Sequence, residues 1–169
     1  MALDGTDLRI VDLLQQNARA TQSDIAAAVG LTQPAVAERI RKLEQERIII
    51  SYAARVDPRR LGKDITAFIG VGIEHPKFNA AFAQRILSLA DVLECHHVTG
   101  QDSYLLKVIT ESTESLDRLI SEQIRTIPGV TRTQTTIVMS SVKEGSHVKP
   151  AARSKPQRGK IRKRKAGGL

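Results

Sequence analysis

The stretch TQPAVAERIRKLEQ, residues 32 to 45, carries a polar stripe made of groups able to read nucleic acid. Gln33 offers an amide that matches adenine and Glu38 a carboxylate that accepts from cytosine. Arg39, Arg41 and Lys42 supply cations for guanine or phosphate. Thr32 and Pro34 form the N-terminal end of the stripe, and Thr21, Gln22 and Ser23, earlier in the chain, can donate to backbone phosphate. A solvated helix face looks the same, with Glu38 paired to Lys42 four residues on. Spacing alone leaves both readings open.

Cys95, His96 and His97 are metal-ligand types in a row. Consecutive strand residues point to opposite faces, however, and no second cluster completes a tetrahedral set. No metal is therefore expected; Cys95 reads as a buried thiol and His96 as a packed or interface histidine. No Ser/His/Asp order, glycine-rich phosphate loop or carboxylate pair stands out, so no catalytic residue, cofactor or enzymatic activity is expected.

The elements that must hold the stripe are set by apolar spacing. Leu8, Ile10, Val11 and Leu14 predict a helix over about residues 4–16, capped by Asp4 or Thr6. In ATQSDIAAAVG, Thr21 or Ser23 caps a short helix that buries Ile25, Ala26 and Val29 and stops at Gly30. A third helix begins at Thr32, tolerates Pro34 in its first turn and buries Val36, Ile40 and Leu43. Two helices about a glycine turn, with a small Ala26 between them, make a helix-turn-helix. The β-branched run IIISYAARVD then predicts one or two short strands, a wing. Residues 1–57 are thus expected to form a winged helix-turn-helix DNA-binding domain, followed by a linker over 58–64.

Strands over 65–74, 92–100, 104–110 and 130–142, with helices over 79–90 and 114–127, give the order βαββαβ. The fold class is α+β: the winged helix-turn-helix precedes a ferredoxin-like domain over 65–145, with both helices on one face of an antiparallel sheet. An uncovered apolar sheet face predicts a homodimer.

Composition narrows the partners. Aromatics are 3% with no Trp, which weighs against ring-stacking surfaces for RNA or single strands. The net charge of +8 is concentrated beyond Ser146, where nine Lys or Arg meet no acid, while the rest nets −1. Residues 146–169 therefore read as a disordered basic tail suited to polyanions. One cysteine and the absence of any long apolar run suit a cytoplasmic protein that does not meet the membrane.

Over about residues 2 to 144 the chain resembles the Lrp/AsnC (feast/famine) transcriptional regulators. The resemblance rests on LDGTDLRIVDLLQQNARATQSDIAAAVGLTQPAVAERIRKLEQERII, VLECHHVTGQDSYLLKV and IPGVTRTQTTIVMSSVK, in that order. It implies an ACT-like second domain for effector binding and oligomerisation, double-stranded DNA as partner, and homodimers assembling to tetramers or octamers at the nucleoid. It favours the DNA-reading view of the stripe. It also implies an amino-acid effector held by Gly100, Gln101, Asp102, Ser103 and Tyr104, through backbone amides and side-chain oxygens; a tight turn between strands is the other reading of that loop.

The sequence departs from the family pattern twice. Arg47 stands where the family usually has Gly after the recognition helix, and Ser103 where it usually has an effector-loop Asp, with Asp102 one residue earlier. The expected function is a sequence-specific DNA-binding transcriptional regulator that responds to an amino acid or other small molecule. An architectural, low-specificity DNA binder with a vestigial effector site is the alternative. A siroheme-decarboxylase-like enzyme, as some proteins resembling the family are, comes third.

Overall fold

The computed structural model describes residues 3–150. They fall into two compact units: residues 3–53 together with 145–150, and residues 54–144. The expected basic tail lies mostly on residues 151–169, outside the described residues.

The first unit holds three helices. α1 (Gly5–Gln16) starts at Asp4 with a reciprocal box: the Asp4 carboxylate accepts from the Asp7 N–H at 2.7 Å, and that of Asp7 from the Asp4 N–H at 3.0 Å. α2 (Gln22–Val29) is capped in the same way by Thr21 and Asp24, and it stops at Gly30, whose φ of 71° needs a residue without Cβ strain. α3 spans Gln33–Gln45. Val36, Ile40 and Leu43 of α3 meet Ile10 and Leu14 of α1 and Ile25 and Ala26 of α2 in one core. Burying each larger member contributes roughly 1.5–3 kcal/mol. The α1 stripe is centred on Ile10 and Leu14; Leu8 and Val11 are only half-buried.

α3 ends in a Schellman closure. The Ile48 N–H donates to the Leu43 carbonyl at 2.9 Å and the Arg47 N–H to that of Glu44 at 2.9 Å, with Arg47 left-handed at φ 54°. Thus the turn that usually takes glycine is made here by Arg47. This closure also removes the expected wing. The Ile49 N–H too is used on Leu43, and residues 50–57 form no strand. The β-branched run finds no partner strand; Tyr52 instead donates its hydroxyl to Glu44 at 2.9 Å.

The second unit is a four-stranded antiparallel sheet in the order β2-β3-β1-β4: β1 (Ile65–Ile73), β2 (Val92–His97), β3 (Tyr104–Thr110) and β4 (Val130–Ile137). α4 (Asn79–Leu87) and α5 (Thr113–Arg118) separate the strands as βαββαβ. The core joins Ala67, Ile69 and Val71 of β1, Leu106 and Val108 of β3, Phe82 and Ile86 of α4 and Leu116 of α5. Beyond α5 the backbone widens into a π-helical segment, Leu119–Ile124, marked by the Arg125 N–H donating to Ile120 five residues back. The wider turn lets Leu119 and Ile124, five apart, both enter the core.

The expected linker is partly structured: Pro58–Leu61 forms a 3-10 turn, and Lys63 ties to Asp91 at 2.9 Å and Glu111 at 3.3 Å. The sheet face away from the helices is mixed rather than apolar throughout. Register puts Phe68, Leu105 and Ile109 there beside Glu94, Lys107, His96, Gln134 and Thr136.

Candidate nucleic-acid interface and effector loop

The outer face of α3 carries Gln33, Pro34, Glu38, Arg41 and Lys42, all exposed, opposite the buried Val36, Ile40 and Leu43. α1, α2 and α5 begin with a side chain bonded to their first-turn amides, whereas α3 begins at Thr32 with no such bond. Thr32 holds the N-cap position, its carbonyl accepting from the Val36 N–H at 3.1 Å, but its hydroxyl makes no capping bond, and the positive end of a 13-residue helix faces outward without a side-chain acceptor. At the start of α2, Gln22 and Ser23 are exposed. The Thr21 hydroxyl is already committed, donating to the Asp24 carboxylate at 2.7 Å.

The cations of this face are paired within the chain. Arg41 grips Glu38 with two donors at 2.7 and 2.9 Å, and Lys42 approaches the same carboxylate at 3.5 Å. The Arg41 hydrogen bonds, aided by Lys42, hold the Glu38 carboxyl down to about 2, and Glu38 raises Arg41 in return.

Arg39 requires a correction. Its Nη1 lies 2.8 Å from Asp4 and 2.5 Å from Asp7, the latter buried at 4% exposure, so the guanidinium braces α3 to the α1 cap rather than facing outward. Asp4 and Asp7 raise the Arg39 pKa. The Asp7 amide, then Arg39, holds Asp4 below the usual carboxylate range.

In the second unit the loop between β2 and β3 splits into two kinds of residue. Gly100, at φ 122°, and Gln101 are exposed. Asp102 is half-buried, held by Arg132 of β4 at 2.6 Å, and it fills the space over Gly70 of β1, where a Cβ would run into its carboxylate. Ser103 works as a strut: its N–H donates to Val71 at 2.9 Å, and its hydroxyl accepts from the Ile73 N–H at 3.2 Å. Tyr104, expected to lend an oxygen to a ligand, is a core residue, its ring 4.7 Å from Phe82 and 5.1 Å from His97. Arg132 was missed from sequence because it lies 30 residues from Asp102 and no local pattern links them.

Strand alternation separates the Cys-His-His run. His96 sits with Glu94 at 3.1 Å, while Cys95 and His97 pair with the core-face positions Leu106 and Tyr104. Cys95 is exposed, not buried as expected, because it lies on the edge strand β2; partial desolvation still pushes its thiol up. Among the described residues no group of three or more His, Cys, Asp or Glu could hold a metal, and no helix is long and apolar enough to cross a membrane.

A helix-turn-helix with an open α3 face, carried with a ferredoxin-like sandwich, defines a DNA-binding regulator with a separate sensing domain. Residues 3–44 match the AsnC-type helix-turn-helix domain and residues 66–148 the Lrp/AsnC ligand binding domain. The chain belongs to the Lrp/AsnC family of DNA-binding transcriptional regulators. It is 43% identical over 118 residues to the uncharacterized HTH-type transcriptional regulator YezC of Bacillus subtilis, covering 70% of this chain and 83% of that one. It is 32% identical over 149 residues to the leucine-responsive regulatory protein of Haemophilus influenzae, covering 85% and 87%. A Neisseria meningitidis transcriptional regulator solved in complex with L-Met superposes with a TM-score of 0.83 at 27% identity, covering 87% of this chain and 96% of that one.

Proposed function

We propose that residues 1–57 read duplex DNA through the N-terminal half of α3, with Gln33, Pro34 and Glu38 at base edges and Arg41 and Lys42 at guanine or phosphate. Thr32 and the start of α2, through Gln22, Ser23 and the backbone at Thr21, meet phosphates. The observation that carries this reading is the α3 N-terminus, exposed and without a side-chain acceptor beside the tight Gly30 turn. A helix N-terminus of this kind binds phosphate and aims its first residues at the major groove. Arg39 has no part in it, being spent on Asp4 and Asp7.

The second unit pairs with a second copy of the chain through the sheet face bearing Phe68, Leu105 and Ile109, so that two α3 helices address a palindrome; dimers assemble further into tetramers or octamers. An amino acid binds at the loop of Gly100, Gln101 and Asp102 and modulates this arrangement. The supporting features are the exposed loop backbone and the Asp102–Arg132 pair, whose opposite charges match the two ends of an amino acid. The L-Met complex of the Neisseria regulator, similar in fold, supports an effector of that class. The protein acts in the cytoplasm at the nucleoid, as a regulator rather than an enzyme.

The test begins by selecting duplexes from a random pool with the full chain, then measuring Gln33→Ala and Arg41→Ala by fluorescence anisotropy. Loss of a bidentate base contact costs about 1–3 kcal/mol, roughly 5- to 150-fold on the selected duplex, with less on a scrambled one. Equal binding of parent and variants to the selected duplex would remove α3 from the reading face.

A further inference from the structure

β4 ends at Ile137, and Met139 and Val142 are fully or nearly fully exposed. Val138 still donates to the Thr66 carbonyl and Glu144 meets Arg55, and ten residues past the strand the chain makes contact with α1. The Gln15 side chain clasps the backbone of Val148 from both sides, its Nε2 donating to the Val148 carbonyl at 3.1 Å and its Oε1 accepting from the Val148 N–H at 2.8 Å. One turn earlier on the helix, Asp12 lies 2.9 Å from Nε2 of His147. Asp12 and Gln15 are half-buried, lie outside the core of the first unit and have no role in the reading face.

Immediately after this contact in sequence comes the most basic part of the chain: all nine Lys and Arg of the basic tail lie from Lys149 onward. Arg39 is matched by Asp4 and Asp7, while Arg41 and Lys42 share the single Glu38 carboxylate, which offsets only one of their two charges, so the outer face of α3 offers little unmatched positive charge. Binding a polyanion by counterion release needs cations that are not already neutralised. We propose that Asp12 and Gln15 form a docking site for the chain's own His147–Val148 segment, and that this latch keeps the Lys/Arg run from Lys149 onward beside the DNA-binding unit, where it neutralises phosphates of the bound duplex. The proposal rests on α3 as the reading helix. It assigns sequence preference to α3 and salt-sensitive affinity to the latched run. Tethering raises the local concentration of the run at DNA without any new base contact.

Three forms of the chain test it: the parent, a deletion of residues 149–169, and the latch variant Gln15→Ala/His147→Ala, which keeps every Lys and Arg. Each is titrated against the selected and a scrambled duplex over a range of salt. The deletion should make the slope of log K against log salt shallower by about 3 or more, four phosphates at roughly 0.9 each, equally on both duplexes and with site preference kept. The latch variant should lose about 3- to 10-fold in affinity on both duplexes. Hydrogen exchange at the Val148 amide should be slowed in the parent and fast in the latch variant, a readout independent of DNA. An unchanged slope on deletion, parent-like affinity of the latch variant, or an unprotected Val148 amide in the parent would each overturn the proposal. If instead no form prefers any duplex while the slope and exchange results hold, the reading role of α3 fails and the latch stands.

Discussion

Replacing Arg39 with Met separates its bracing role from a DNA contact. The Asp7 carboxylate is 4% exposed, and its partners are Nη1 of Arg39 at 2.5 Å and the Asp4 N–H at 3.0 Å. Removing one member of a fully buried pair costs about 3–5 kcal/mol, because the other charge is stranded. The Arg39 side chain is one-third exposed, at 33%, so water can approach the site once it is gone. Solvent screening brings the expected cost down to about 2 kcal/mol, near a 30-fold change in the opening equilibrium. Hydrogen exchange in the full chain reads this locally: amides of α1 and α3 should lose about 30-fold in protection, while those of β1 and β3 serve as the internal control. Adding Asp7→Asn should return part of the loss, since a neutral amide needs no counterion and still accepts from the Asp4 N–H. A loss of less than threefold in α1 and α3, or an equal loss in both units, would refute the brace. Weakened DNA binding with α1 and α3 protection intact would return Arg39 to the reading face.

Glu38 should titrate near 2 by carbon-detected NMR, and Arg41→Ala should move it back toward the ordinary glutamate value, because the Arg41 hydrogen bonds are the main cause of the depression. Linkage fixes the sign: a carboxyl depressed in the folded state stabilises it above the unfolded value of about 4.5, and this is lost as pH falls toward 2. Arg47→Gly should stabilise the first unit by about 0.5–1 kcal/mol in thermal unfolding, since φ 54° strains a side-chain-bearing residue and Gly meets it freely; a lower Tm would contradict a strained closure at this residue. Gly70→Ala should displace Asp102 and break its pair with Arg132. It should then destabilise the second unit by about 1–3 kcal/mol and blunt any amino-acid response of DNA binding; parent-like behaviour in both would mean that the carboxylate moves aside easily.

Local patterns were legible and long-range pairs were not. Capping residues and the Gly30 stop located α1 and α2 to within two residues, the first of each pair of candidate caps, Asp4 and Thr21, being the one used, and the odd one out, Arg47, adopts the left-handed geometry that the family's usual glycine at that site implied. Strand alternation correctly split His96 from Cys95 and His97. It also carried an unused signal: Tyr104 shares parity with Leu106 and Val108, so its place in the core was readable beforehand. The wing was misread because β-branched composition reports strand propensity, whereas a strand also needs a neighbour, and here the Ile48 and Ile49 amides close a helix. Arg39 is 32 residues from Asp7 and Arg132 is 30 from Asp102; only the folded chain brings such pairs together. The π-helical segment had a faint trace in the five-residue step from Leu119 to Ile124.

Glu38 sits on the outer face of α3 with Arg41 and Lys42 both leaning on it. Facing a duplex, that carboxylate is repelled by every phosphate and every acceptor edge, and it is welcome only where an exocyclic amine, of cytosine above all or of adenine, can meet it. Until such a base is presented, the cheapest arrangement keeps Arg41 and Lys42 on Glu38. Discrimination on this helix then comes largely from rejecting wrong sites rather than embracing right ones. Neutralising Glu38 would be expected to make a stickier protein and a less choosy one.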